Sequence, residues 1–219
     1  FPTFLFNQID VTRGNVSAIY GSGALGGVIN MTTRTGRGKP MFSGQVGLGS
    51  QRRYQANLNY SGQINDTSFF IGANTQGTGG ISAMVPGTAG TPNPDKDSYH
   101  NQAVLASLSH RLDNGGEIGA HLFHVHANTR YDNVYAPITD DQLLKSDNRA
   151  AILFWKTPLT NRWHTHFSIA ETVDKSEDYS NGHLSSTFKT VNRQAFWRHE
   201  WQFADTQRLT GGVEWQQQR

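Results

Sequence analysis

The chain has 219 residues, no cysteine, 19 basic and 17 acidic side chains, and a formal net charge of +2. Without thiols it holds no disulfide framework and no cysteine-ligated metal site, and without a Lys/Arg tract it carries no footprint for nucleic acid. Only 16% of residues are charged, yet 5 Trp, 7 Tyr, 12 Phe and 23 Gly are present; that is too aromatic for disorder, and no apolar run reaches the ~18 residues of a membrane-spanning helix.

The first segment is glycine-rich. Ile9-Asp10-Val11-Thr12-Arg13-Gly14 reads as a strand, and Gly21-Ser22-Gly23-Ala24-Leu25-Gly26 fits the dinucleotide pattern G-x-G-x-x-G. That pattern needs a following helix and an acid about 20 positions on. Val28-Ile29-Asn30-Met31-Thr32-Thr33 follows instead, β-branched and strand-like, and the residue in the acid's place is Val46. A nucleotide site is therefore excluded, and no lysine follows a glycine run to make a phosphate loop.

From residue 41 onward helix signals are nearly absent and period-2 alternation recurs. Tyr54, Ala56, Leu58 and Tyr60 alternate with Gln55, Asn57, Asn59 and Ser61. Trp163, Thr165, Phe167 and Ile169 alternate with His164, His166, Ser168 and Ala170, and Leu209, Gly211, Val213 and Trp215 with Thr210, Gly212, Glu214 and Gln216. The pattern predicts strands over 41–49, 52–62, 67–75, 99–112, 117–129, 148–158, 162–174, 187–203 and 207–217. Short turns fall at 63–66, 113–116, 158–161 and 204–206, and longer polar loops at 76–98, 130–147 and 175–186. Short and long connections alternate, as periplasmic turns and outer loops do in an outer-membrane barrel. Strands of this length also match a tilted span. The low mean hydropathy fits too, since only alternate residues of such strands face lipid. Ile152-Leu153-Phe154-Trp155 is apolar on both faces and fits less well. A soluble barrel or sandwich with one wet face is the alternative on pattern alone.

Ala18-Ile19-Tyr20-Gly21-Ser22-Gly23-Ala24-Leu25-Gly26-Gly27-Val28-Ile29-Asn30, after the strand ending in Arg13-Gly14, resembles the end of the plug domain of TonB-dependent outer-membrane receptors. The resemblance implies an all-β fold: part of a transmembrane antiparallel β-barrel, nine or so of about 22 strands, with the C-terminal part of a plug. Residues 1–38 would be the plug remnant and 39–219 the N-terminal barrel strands. It further implies a fragment of an outer-membrane active transporter, not an enzyme, with outer-membrane lipid around it. A TonB-type periplasmic protein would energise it through a docking segment upstream of Phe1. The glycines would let the plug backbone pack close to the barrel wall.

Two acidic segments resemble the loops of cobalamin receptors within that family. They are Asn93-Pro94-Asp95-Lys96-Asp97-Ser98-Tyr99 and Asn128-Thr129-Arg130-Tyr131-Asp132-Asn133-Val134-Tyr135-Ala136-Pro137. Lys175 to Tyr179, Ser185 to Thr187 and Gly211 to Gln216 run parallel to the same receptors, so the resemblance covers the chain in order. It implies imported cobalamin (vitamin B12) and loops ordered by calcium, which takes six to eight oxygen ligands. The implied calcium ligands are Asn93, Asp95, Asp97, Tyr131, Asp132 and Asp147, with Asp140 or Asp141 as alternatives to Asp147. Ile81 stands where the family has an acid and Ser98 where it usually has glycine, which points to a weaker site or to one ion in place of two; a solvated acidic loop without metal is the alternative. Asn133 and Thr187 match cobalamin contacts, against a reading as ordinary polar loop residues. A ferric siderophore or haem receptor is the second reading of the cargo. His124 and His126 share a strand face, as do His164 and His166; such pairs suit a transition metal or line a lumen. An outer-membrane β-barrel hydrolase using these histidines is the reading from another class.

Overall fold

A computed structural model describes residues 3–20, 23–82, 95–133, 135 and 139–219. After a 3-10 turn at Thr3–Leu5, β1 (Phe6–Arg13), the four-residue helix α1 (Ser17–Tyr20) and β2 (Gly27–Thr33) form a small unit. Nine strands follow: β3 (Met41–Gly49), β4 (Arg53–Ile64), β5 (Thr67–Thr78), β6 (Tyr99–Arg111), β7 (Glu117–Arg130), β8 (Gln142–Thr160), β9 (Trp163–Ser180), β10 (His183–Ala204) and β11 (Gln207–Gln218). They pair consecutively and antiparallel in one sheet, with β3 and β11 at its edges. Among the described residues no helix is long and apolar enough to cross a membrane.

β1 and β2 pair antiparallel, so the strand-then-helix of a nucleotide fold is absent there. Gly21 and Ser22 lie outside the described residues. Gly27 has φ 144°, and a Cβ on it would fall 2.4 Å from the Thr12 carbonyl oxygen. The motif glycine thus admits a close approach to β1, not to the wall as expected. The glycine that meets the wall is Gly36, whose Cβ would lie 2.0 Å from the Phe69 carbonyl oxygen.

The small unit seats on one face of the large sheet. Leu5, Phe70, Ala103, Leu105 and Val125 form the buried core, with Phe4 and Phe123 packed against it. Burying Leu and Phe side chains stabilises by about 1.5–3 kcal/mol each. Arg34 N–H donates to the Leu5 carbonyl at 3.2 Å, and the Arg34 guanidinium stands 5.2 Å over the Phe4 ring. Phe70, Leu105 and Val125 therefore define the inner face, and their alternate neighbours face outward.

The outward face is the apolar one. One cross-sheet row runs Phe69, Leu108, Ala120, Leu153, Ile169, Ala195 and Trp215, and the next runs Ile118, Trp155, Phe167, Trp197 and Val213. Leu58 is 60% exposed, Ile71 56%, Leu153 54% and Val213 67%. A contiguous apolar patch of this extent requires a nonaqueous neighbour, and aromatic-rich outward rows are what lipid selects. Asn57, Asn59 and Asn74, by contrast, are buried on the inner face. The doubly apolar run of β8 now has its reason. Leu153 and Trp155 face outward, while Ile152 faces a hollow shared with Phe6 and Met31, and the Phe154 ring stacks on His121 with centroids 5.4 Å apart.

The predicted order of short turns and long loops needs correction at 175–186. β9 runs to Ser180 and β10 starts at His183, so only Asn181 and Gly182 connect them, at φ 50° and 78°. An Asn-Gly pair with positive φ at both positions is the favoured two-residue hairpin turn. β8 likewise begins at Gln142, shortening the predicted 130–147 loop to 131–141. The strands β8, β9 and β10 have 19, 18 and 22 residues, against about 9–11 for a tilted span. Their loop-side halves therefore rise past the lipid, where the apolar alternation is no longer required.

Candidate functional site: the acidic cluster above the sheet

The connections 79–98 and 131–141 leave the same end of the sheet. The β6–β7 ladder continues one step into them, since Arg130 N–H donates to the Ser98 carbonyl at 2.9 Å. Asp97 N–H donates to the Ile81 carbonyl at 3.0 Å. Gly80 makes this fit possible, with φ 67° and its Cβ direction closed by the Asp97 carbonyl 2.0 Å away. These bonds set the end of one loop beside the start of the other.

The result is a group of three carboxylates. Asp95, Asp97 and Asp132 each place an oxygen within 4.8 Å of the other two. Both oxygens of Asp132 are buried and have no hydrogen-bond partner among the described residues. A buried carboxylate without a donor is strongly disfavoured unless a charge compensates it. Hard oxygen donors gathered around one point suit Ca²⁺. Asp95, Asp97 and Asp132 would hold it, and the ion would supply the positive charge that ties the two loops together.

The other residues expected around calcium are placed elsewhere. Asn93 lies outside the described residues. The Tyr131 hydroxyl donates to Asp178 Oδ1 at 3.2 Å, and Ser186 Oγ donates to Asp178 Oδ2 at 3.0 Å. Burial pushes the Tyr131 phenol above its ordinary pKa, and the charge and hydrogen bond of Asp178 push it the same way. Asp141 pairs with Arg130. The Asp141 N–H donates to the Asn181 side-chain oxygen at 3.0 Å, and the Asn181 side-chain amide donates to Asp140 Oδ1 at 3.0 Å. Asp147 is not in the cluster: it lies in β8 opposite His126, with His124 Nε2 at 2.9 Å and Arg149 Nε at 2.7 Å. The resemblance implied a ligand role for it, whereas strand pairing fixes it to the outer face of the sheet.

The two cobalamin candidates are not on one element. Asn133 is exposed in the 131–141 connection, where its side-chain oxygen accepts the Tyr135 N–H at 3.0 Å. Thr187 is in β10 opposite Glu177, on the face shared with Lys189 and Trp197, hence outward. Its neighbour Ser186 points inward to Asp178. The Tyr131–Asp178–Ser186 group and the Asn181 clamp on Asp140 and Asp141 were not expected from the sequence. The Asn181-Gly182 dipeptide is the signal that finds the latter, as a hairpin turn. His164 and His166 share the inner face of β9, beside Glu117, Lys156, Arg198 and Glu200.

The chain is 26% identical over 216 residues to the vitamin B12 transporter BtuB of Photobacterium profundum, matching 98% of this chain and 34% of the relative. It is 23% identical to the vitamin B12 transporter BtuB of Vibrio vulnificus, over 99% of this chain and 35% of that one. It thus spans about a third of the length of these curated relatives. No protein-family model matches. Among solved structures, the siderophore receptor PiuA of Acinetobacter baumannii superposes with a TM-score of 0.72 at 14% identity, over 99% of this chain and 35% of that chain. The ferripyoverdine receptor of the outer membrane of Pseudomonas aeruginosa gives 0.56 at 14%, over 99% and 42%. These relatives are transporters and receptors, which sets aside the barrel-hydrolase alternative. The chain has the fold of these outer-membrane receptor barrels, and the resemblance to TonB-dependent receptors of the vitamin B12 type extends along its whole length.

Proposed function

We propose that this chain is part of a TonB-dependent outer-membrane transporter that imports cobalamin. In this reading residues 1–38 end the plug and residues 39–219 are the first barrel strands. External ligand binds the loops, with Asn133 in contact, and a TonB-type periplasmic protein then acts on the plug so that the ligand passes through the lumen. Calcium held by Asp95, Asp97 and Asp132 orders the loops beforehand. The observation that carries the reading is end-to-end sequence similarity to two vitamin B12 transporters. The acidic cluster with the bare Asp132 carboxylate adds to it. The proposal gives Thr187 no contact with ligand in the lumen, because it shares a face with the outward Trp197.

A second reading, a ferric siderophore receptor, draws on the fold likeness to PiuA. Binding to the full-length receptor in detergent separates the two. Cobalamin binding that a calcium chelator weakens is the expected result. Tight ferric siderophore binding with no cobalamin binding would replace the first reading by the second.

A further inference from the structure

We propose that His124, His126 and Asp147 form a binding site for a divalent transition metal of the Zn²⁺ class, on the outer face of the sheet and separate from the acidic loop cluster. His124 and His126 are two apart on β7, so both imidazoles leave the same face. The β7–β8 register sets Asp147 opposite His126 and Arg149 opposite His124. One carboxylate oxygen, Asp147 Oδ2, lies 2.9 Å from His124 Nε2 and 3.6 Å from His126 Nδ1. Two ligands on tetrahedral zinc, each at 2.0–2.1 Å, stand about 3.3 Å apart. The two observed separations straddle that value, while the two imidazoles stand farther apart than the 4.8 Å that contains the acidic trio, so both rings must turn toward Asp147 Oδ2 to share one ion.

The surroundings support a cation at this point. Arg149 Nε holds the other oxygen, Asp147 Oδ1, at 2.7 Å, which fixes the carboxylate and leaves Oδ2 to the imidazoles, as outer-shell partners of metal ligands do. Lys175 faces Asp147 from β9, but its ammonium is bound to Glu177 at 2.6 Å. Gln102 faces His126 from β6 and Lys189 faces Lys175 from β10, so the His126–Asp147 row is polar, whereas the His124–Arg149 row beneath it continues into Val104, Val173 and Val191 and forms the upper edge of the apolar band. A carboxylate at the centre disfavours phosphate or sulfate. Two imidazoles favour zinc, nickel or copper over calcium, which takes oxygen ligands. The three side chains are partly exposed, with the two histidines at 48% and 39% and Asp147 at 22%, and an ion reaches them from the polar His126–Asp147 side of the site.

The test is calorimetric titration of Zn²⁺ into untagged full-length receptor in detergent, with excess calcium present to occupy the acidic loops. His124→Ala, His126→Ala and Asp147→Asn are each expected to weaken one zinc site by about tenfold or more, and Arg149→Ala by about tenfold. Co²⁺ in place of zinc is expected to give the intense visible absorption of a four- or five-coordinate nitrogen–oxygen site in the wild type, and none in the variants. All four positions are on the outer surface, and unchanged far-ultraviolet circular dichroism checks that the variants fold. Zinc binding in the His124→Ala/His126→Ala double variant equal to wild type overturns the proposal, as does zinc binding that calcium abolishes.

Discussion

Replacing Asp132 by Asn has two effects of opposite sign, and their combination tests the calcium reading. Asp132 sits within 4.8 Å of both Asp95 and Asp97. Two unit charges at that distance repel by about 3.5 kcal/mol at an effective dielectric of 20, and by about 0.9 kcal/mol in bulk water. Removing one carboxylate relieves two such pairs. Asp95 is exposed and Asp97 and Asp132 half-buried, so the relief belongs in the lower part of the resulting range, about 2–4 kcal/mol. The metal-free variant should therefore resist unfolding better than metal-free wild type. With calcium the order changes: wild type gains about 2.7 kcal/mol at a hundred times its dissociation constant, and the variant, lacking a ligand able to take the ion through both oxygens, gains little. Urea unfolding of the full-length receptor, with calcium and with chelator, measures all four states. A variant that is weaker than wild type without metal, yet keeps the full calcium gain, refutes the argument.

Two further outcomes follow from the two faces of the sheet. All five tryptophans of this chain, Trp155, Trp163, Trp197, Trp201 and Trp215, lie on the outward face, so in a receptor whose other tryptophans are replaced by phenylalanine, bromine-labelled acyl chains should quench most of their fluorescence in vesicles; stronger quenching by aqueous acrylamide would contradict the lipid assignment. Phe70→Ala should destabilise the receptor by about 3–5 kcal/mol, because Phe70 is buried beneath Leu5 and a cavity remains. Ile71→Ala, one residue on, should have far less effect, since lipid is as apolar as the group removed; equal losses in denaturant unfolding would show that the faces are assigned wrongly.

Where side-chain chemistry repeats along the strand, the fold is legible in the sequence. β3 occupies the predicted 41–49, and Leu58 and Tyr60 alternate with buried Asn57 and Asn59 as expected. The errors fall where lipid no longer dictates the pattern. Lys175 and Glu177 look like loop residues because they are charged, but they lie on β9 above the membrane, where water meets the outer face and cross-strand pairing is enough. The acidic trio is local in each of its two segments, so both are visible in the sequence. Which acids converge is decided by the bonds from Asp97 to Ile81 and from Arg130 to Ser98. The partner of His124 and His126 was hidden for the same reason, since Asp147 reaches them only through the β7–β8 register.

How an ion would meet Asp132 follows from what holds the 131–141 connection. The 131–141 connection is fixed at both ends: Arg130 pairs with Asp141, Asn181 bridges Asp140 and Asp141, and Tyr131 is bonded to Asp178. The partners of these groups stand on β9 and the two-residue Asn181-Gly182 turn, a short connection with little freedom of its own. Asp132 is therefore presented by a pre-set element, with both oxygens bare. A ligand group already in place loses little conformational entropy when it binds an ion. Asp132 is then the fixed jaw of the site, on which an ion would settle with the contacts of Arg130 and Tyr131 already in place beside it.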